Sequence, residues 1–416
     1  MTATSSPATN LNVPDLDHLD LLGRLEYPSK RDEAWRYAPH DTLDRLSFGR
    51  SARPTRAALP PTLEGRIPVL DGPRIVIVNG AVDSDRSQLR NPTAGVHLST
   101  LVDAHAEHPE LLATHLHPTT DDRDAYLALN IAYGTDGAAI HVAGGQAADA
   151  PIHVVHIALP DETHNVSCSG VVIRLDDGAA ATVVETSLGD GDHGGTNTRT
   201  TITLGERATL NHIVVQDVES TQVHLGRISV TQGSRSVLRA HSFNLGGTYG
   251  RVVYDVHLAG EEARTDLSGL YFGQGRQTLD QQITVTHAAP NCTSRQRFRG
   301  VLHDQSTGVF NGGIDVRPGA DGTDAQQSND NLLLSDRAEA NTQPRLEILA
   351  DDVTCKHGAT VGQLDDNALY YLRTRGIDES EARRLLIHGF ADEAVEAVDN
   401  EVLRAWVTER LGHADA

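Results

Sequence analysis

Four glycines recur at a nearly fixed interval in the middle of this sequence, and few folds tolerate such a rhythm. Gly178 in DDGAAATV, Gly205 in LGERATL, Gly233 in TQGSRSVL and Gly260 in LAGEEARTDL are separated by 27, 28 and 27 residues. A small residue follows each by three positions: Ala181, Ala208, Ser236 and Ala263. Between them run ATVVETSL, TTITLGE, LNHIVVQD and GRISVTQ, whose alternation of apolar and polar side chains is the period of a strand with one face in a core. Strands repeating every roughly 20 to 50 residues with glycine at the corners describe a β-solenoid, in which coils stack and their inner faces merge. A β-sandwich competes, but Greek-key strands have no reason to repeat at a fixed interval. The spacing therefore predicts a mainly β chain with a parallel β-helix over residues 136–364 and the four glycines at equivalent corners.

Different patterns flank this stretch. Residues 1–135 read as a mixed, mostly helical region. Its first fifteen residues, rich in Ser, Thr, Asn and Pro, are expected to be disordered. Trp35, Tyr37 and Leu43 are core anchors of the segment Ser29 to Leu46. Arg74 to Gly80 predicts a strand ending in an Asn-Gly turn, and Leu98 to His117 a helix interrupted at Pro109, with His115 and His117 on the solvated surface. Asp124 to Gly134 predicts a helix stopped by its glycine. Residues 365–416 read as helical. Asp365 or Asp366 caps a first helix that stops at Gly376, and Asp378 with Glu381 opens a second. Ala382, Leu385, Leu386, Gly389, Phe390, Ala394, Ala397 and Val398 give that second helix an apolar stripe, and Leu403, Trp406, Val407 and Leu411 give one to a third. Such helices can cap the end of a solenoid or dock a partner.

The chemistry concentrates in ADDVTCKHGATVGQLD (Ala350 to Asp365), the one place with a Cys-x-His pair. Leu346, Ile348, Val353 and Val361 favour extended backbone, where residues two apart share a face, so Cys355 and His357 project together and Lys356 the other way. A thiolate beside an imidazole suits iron, zinc or copper, or a nucleophile with its base. Two donors do not close a metal site, which takes about four. On the residues alone the pair reads first as a buried cysteine beside a hydrogen-bonded histidine at a strand end; the alternative, half of a site that another chain completes, needs further support.

Other features point to scaffold. GDGDHGG (Gly189 to Gly195) resembles a calcium loop but reads as an exposed connection. His153 and His156, three apart in a strand, face opposite sides and cannot share a metal. Cys168, Cys292, His287 and the segment Gly300 to Val316 are assigned to the coils.

Composition narrows the function classes. Fifty-seven acidic against 35 basic residues, a net charge of −22 over 416 residues, disfavour nucleic acid and anionic membrane as partners. Three cysteines at wide spacing form no disulfide framework; with no apolar run of about 18 residues and no signal pattern, a cytoplasmic protein is expected. No GxxxxGK[ST] loop is present, so any ATP hydrolysis must come from a partner. A β-helix enzyme acting on polysaccharide needs aromatic platforms, but aromatic content is 4% and both tryptophans, Trp35 and Trp406, lie outside the repeat.

Five blocks, NLLLS (Asn331 to Ser335), P-x-LEI (Pro344 to Ile348), Ala350 to Asp365, LYYLRTRGI (Leu369 to Ile377) and Gly389-Phe390, together resemble the C-terminal half of the SufB/SufD family of iron-sulfur cluster assembly proteins. The element around Trp35 is similar to one in the N-terminal domain of SufD-like chains. SufB-type chains carry a cysteine before the LLL run and a histidine-glutamate pair further on; Asn329 and Lys356-His357-Gly358 stand at those places, so the resemblance favours the SufD branch. It implies a right-handed parallel β-helix between helical end regions and a non-enzymatic scaffold that pairs with a SufB-like subunit and docks a SufC-like ABC-type ATPase. It also implies a transient iron-sulfur cluster at the subunit interface, with no permanently bound cofactor. His357 ranks first and Cys355 second as cluster ligands, and Leu386 and Phe390 as ATPase-docking residues. A homodimer when alone and a cluster-free, self-associating solenoid are the alternatives.

Overall fold

The computed structural model describes residues 27–49, 59–89, 93–116, 124–159, 165–191 and 193–413. The first fifteen residues and His117 lie outside them. β1 (Arg74–Val78) turns into β2 (Ala81–Val82) through Asn79 and Gly80, both at positive φ (48° and 80°), as the Asn-Gly signal predicts. β3 (Val96–Thr100) runs antiparallel to β4 (Gly137–Val142). The coils then wind through β5 (Ile152–Ala158), β6 (Val166–Leu175), β7 (Ala180–Gly189), β8 (Gly195–Leu204), β9 (Thr209–Asp217), β10 (Val223–Gln232), β11 (Val237–Asn244) and β12 (Tyr249–Leu258). They continue through β13 (Arg264–Gly273), β14 (Thr278–His287), β15 (Thr293–Leu302), β16 (Thr307–Val316), β17 (Thr323–Leu333), β18 (Glu339–Ile348) and β19 (Val353–Gly362).

Odd and even strands segregate. One sheet has ten strands, β19-β17-β15-β13-β11-β9-β7-β5-β1-β2, and the other nine, β18-β16-β14-β12-β10-β8-β6-β4-β3. Each coil gives one strand to each sheet, and strands of successive coils pair in parallel, which makes a β-solenoid of about eight turns. β1 already pairs in parallel with β5, and β3 closes the other sheet, so the region expected to be mostly helical also supplies the first rungs of the stack.

In-register stacking carries the core. Ile173, Ile202, Val230, Val256, Val285 and Ile314 face one another rung by rung, each buried. Burying each such side chain contributes about 1.5 to 3 kcal/mol. Leu346 on β18 is the next rung, half-exposed because no coil follows it.

The corner glycines fall at one bend of the coil, but not all at one step. Gly205, Gly233 and Gly260 are equivalent, and their stacked backbones nearly touch: a Cβ on Gly260 would lie 2.0 Å from Ser234 N, and one on Gly233 2.9 Å from Leu204 O. The pairing of Ala180 with Thr209 puts Gly178 opposite Arg207, two steps later in the bend. There Gly178 (φ 69°), Arg207, Arg235 and Glu262 all take the left-handed conformation. Gly178 thus answers a torsional demand and the other three a demand for close approach.

Helices clothe the outside. α1 (Leu101–Glu107) and α2 (Ala125–Tyr133) pack on the even-numbered strands, and Gly134 ends α2 as predicted. After β19 come α3 (Asp366–Thr374), capped by Asp365, α4 (Glu379–Glu396), capped by Asp378, and α5 (Glu401–His413). These do not close the end of the solenoid: α4 lies along the outer face of the ten-stranded sheet against β13 and β15. Ile387, Ala391, Val395, Val398 and Trp406 pack there on Phe243, Leu270, Phe272, Val301 and Leu332. The last coil is left open.

Candidate functional site at the open end of the solenoid

The interior of the solenoid continues onto its last rung. On the odd-numbered strands one inward ladder runs Ala181, Leu210, Leu238, Thr265, Ser294, Ala325 and then Cys355. The next runs Val183, His212, Ala240, Leu267, Gln296, Gln327 and then His357. Cys355 and His357 therefore share the face that would be core if another coil followed, and Lys356 is exposed on the opposite side.

Cys355 is half-buried against Leu346, Ala350 and Val353, beside Ile314, Val316 and Ala325. That partial burial raises its thiol pKa, so binding a soft metal there displaces a proton. His357 is exposed. Around them the end is apolar and unpaired: Ile348 is 39%, Leu349 51% and Val361 50% exposed, and β18 and β19 each present a free strand edge. Among the described residues no group of three His, Cys, Asp or Glu could hold a metal ion. The pair supplies at most two donors to a site whose remaining ligands must come from elsewhere.

A polar file behind His357 escaped the sequence reading. Gln327, the rung beneath, donates through Nε2 to Gln296 Oε1 at 2.6 Å, while its own Oε1 is buried with no partner. Asn329 Nδ2 donates to Tyr271 Oη at 2.9 Å, and Asn331 Nδ2 reaches Thr360 O on β19 at 3.3 Å. The available signal was amides at inward positions of alternating strands, where an apolar residue belongs.

Deeper inside sits a second polar group. Both Glu185 carboxylate oxygens accept from Thr200 Oγ1 at 2.9 Å, and His212 Nε2 at 2.7 Å and His156 Nε2 at 3.3 Å flank them. Burial pushes this carboxyl up, but the two imidazoles outweigh it and hold it well below the usual carboxylate range. His156 points inward here, whereas His153 faces out to Thr186 Oγ1 at 2.9 Å, so the two do not share a site, as expected. His287 bonds Ser294 Oγ at 2.9 Å within the coils. Cys168 and Cys292 are buried, and burial pushes the Cys168 thiol up to about 12. His115 is a correction: it is buried under the N-terminal helices with Nδ1 2.8 Å from Thr201 Oγ1. The GDGDHGG segment connects β7 to β8, its Asp192 lying outside the described residues.

Leu386 and Phe390 are each half-buried on α4, far less free than a bare docking stripe. The Arg299 guanidinium lies 4.8 Å over the Phe390 ring and donates to Phe390 O at 2.6 Å. Leu385, Tyr370, Tyr371 and Val402 are exposed large apolar side chains of the C-terminal helices, at 41%, 69%, 55% and 47%.

Residues 158–390 match the family model described as SUF system FeS cluster assembly, SufBD core domain, and residues 10–154 match the SufBD protein N-terminal region. The iron-sulfur cluster assembly protein SufD of Escherichia coli is 31% identical over 95% of this chain and 91% of its own length. An iron-sulfur cluster assembly SufBD family protein of Synechocystis is 29% identical over 91% of this chain and 85% of its own. The SufD of Bacillus subtilis is 27% identical over 71% and 68%. No described helix is long and apolar enough to cross a membrane.

Proposed function

Because the chain belongs to the SufBD family of iron-sulfur cluster assembly proteins and is SufD-like, we propose that it is the non-catalytic scaffold subunit of a cluster assembly complex, pairing through its open end with a SufB-like chain. The observation that carries this reading is the unclosed last coil, which sets an imidazole and a thiol on a core-type face flanked by free strand edges. A partner that adds its own edge strands there pairs the backbone of β18 and β19 and covers Leu346, Ile348 and Val361. The nascent cluster is cargo at that junction: His357 supplies a nitrogen, Cys355 is an accessory ligand or structural thiol, and the partner supplies thiolate. Histidine in place of cysteine on iron is known cluster chemistry. A SufC-like ATPase docks on the C-terminal helices, where Leu386 and Phe390 border the exposed Leu385, Tyr370 and Tyr371. Self-pairing of two open ends is the alternative, favoured by the same exposed apolar rungs.

The test combines assembly and chemistry. Co-expressed with SufB-like and SufC-like chains, the wild type is expected to copurify with both, and its anaerobic complex reconstituted with iron and sulfide to show cluster absorbance. The His357→Ala complex assembles and hydrolyses ATP but forms less cluster. Full cluster yield from that variant makes His357 structural; a homodimer that excludes both partners establishes the self-associating alternative.

A further inference from the structure

A buried arginine without a counter-ion stands on the outer face of the nine-stranded sheet. Arg199 on β8 is 6% exposed, its Nε and Nη1 are buried with no hydrogen-bond partner, and no described carboxylate lies within ion-pair reach. Its neighbours are neutralised: Arg227 contacts Asp124 and Asp255, each at 2.6 Å, and Arg251 contacts Asp280 at 2.5 Å. The nearby amides are already engaged, with Asn130 Nδ2 donating to Ser169 O and Asn197 O, and Asn197 Nδ2 to Tyr126 O. His115 cannot be a counter-ion, since an imidazole carries no negative charge; burial and the Arg199 charge hold its pKa well below the usual range, so it adds no second cation. Burial pulls Arg199 itself down to about 9, which leaves it charged at neutral pH.

An isolated buried charge costs several kcal/mol unless something compensates it. The arginine lines a cavity of about 30 Å³ between this sheet and α2, walled also by Trp35, Leu127 and Asp124 and by Arg227 and Arg251, whose two Nε atoms are each buried without a hydrogen-bond partner. One water-sized group takes roughly 10 to 15 Å³ on this measure, so the space admits a group of one to three heavy atoms. Asp124 on the wall is already held by Arg227 at 2.6 Å and Arg251 by Asp280, so the uncompensated charge left on so small a space is that of Arg199, which matches a monovalent anion.

We propose that this cavity is a small-anion site, taking a halide ion or a carboxylate group on Arg199, with Arg227 and Arg251 at its walls, and that the anion helps pin α2 and the Trp35 segment to the solenoid. The occupant is defined by charge and size; chloride and the carboxylate of a small metabolite share that chemistry, and the experiment separates them.

The full chain is melted in gluconate buffer of constant ionic strength while sodium chloride or sodium formate replaces gluconate, an anion too large for the cavity. The wild type is expected to gain about 2 °C or more in a saturating curve, and 35Cl line broadening reports bound chloride directly. Saturation by chloride alone identifies a halide site, and displacement of chloride by formate a carboxylate-accepting one. Arg199→Leu removes the unpaired charge, so it melts no lower than wild type in gluconate and loses the anion-dependent rise. Arg199→Lys keeps the charge with fewer donors and needs more anion for the same rise; it carries the comparison if the leucine variant does not fold. No saturable effect of either anion on the wild type, or an undiminished effect in both variants, overturns the proposal.

Discussion

Glu185 carries a carboxylate inside the solenoid, where Thr200, His156 and His212 bond it from both sheets. A carboxyl whose folded pKa lies below its unfolded value stabilises the fold above the unfolded pKa, about 4.3, and that contribution fades as pH falls through the folded value. Removing one partner of a buried ionic group costs about 3 to 5 kcal/mol. Glu185→Ala is therefore expected to lower the urea midpoint markedly at pH 7, and the gap to wild type should narrow as pH drops below about 4. An equal gap at both pH values means the residue acts by packing alone. Little of this was legible in the sequence, because a lone Glu in ATVVETSL reads as solvent-facing until the coil register brings three distant partners to it. The Cys-x-His pair was legible: strand alternation alone put Cys355 and His357 on one face, and register then made that face the open interior.

At the scale of elements, glycine marked the corners, but its two physical uses looked alike. Gly260→Ala places a Cβ 2.0 Å from Ser234 N, so stacked backbones must part. Gly178→Ala meets nothing closer than 3.9 Å and suffers only its φ of 69°, a cost of about 1 to 2 kcal/mol. Thermal melts are expected to rank Gly260→Ala as the more damaging by several degrees; the reverse order would contradict the stacking of the corners. The four-glycine rhythm revealed the solenoid yet missed this offset, since Ala179 and Ala181 both satisfy a small-residue pattern. The apolar stripe of the C-terminal helix was legible in part. Ala382, Ala394 and Val398 are buried as its spacing predicts, whereas Leu385, Gly389 and Ala397 are exposed and Leu386 and Phe390 only half-buried, and the buried face also takes in Ile387, Ala391 and Val395. The stripe read from the larger side chains at Leu385, Leu386 and Phe390 is rotated from the one that meets the sheet.

For the molecule as a whole, the end that is left open is where the proposed pairing can be tested. Val361 is half-exposed on the inward face of β19, so Val361→Lys costs the isolated chain little, within about 0.5 kcal/mol, but places a charge in any interface formed there. Size-exclusion chromatography with the SufB-like partner is expected to show the variant eluting alone while its melting temperature is unchanged. Retained pairing would move the interface away from this end.

A stack of coils also behaves as a one-dimensional lattice, with stability summed from nearest-neighbour terms. Interior coils are clamped from two sides and the final coil from one, so fraying begins where His357 sits. Whatever seats itself there supplies the absent neighbour, and the free energy of docking is then partly the free energy of zipping shut the last turn. Amide exchange on β18 and β19, fast in the lone chain and slowed on association, would register both events as one equilibrium.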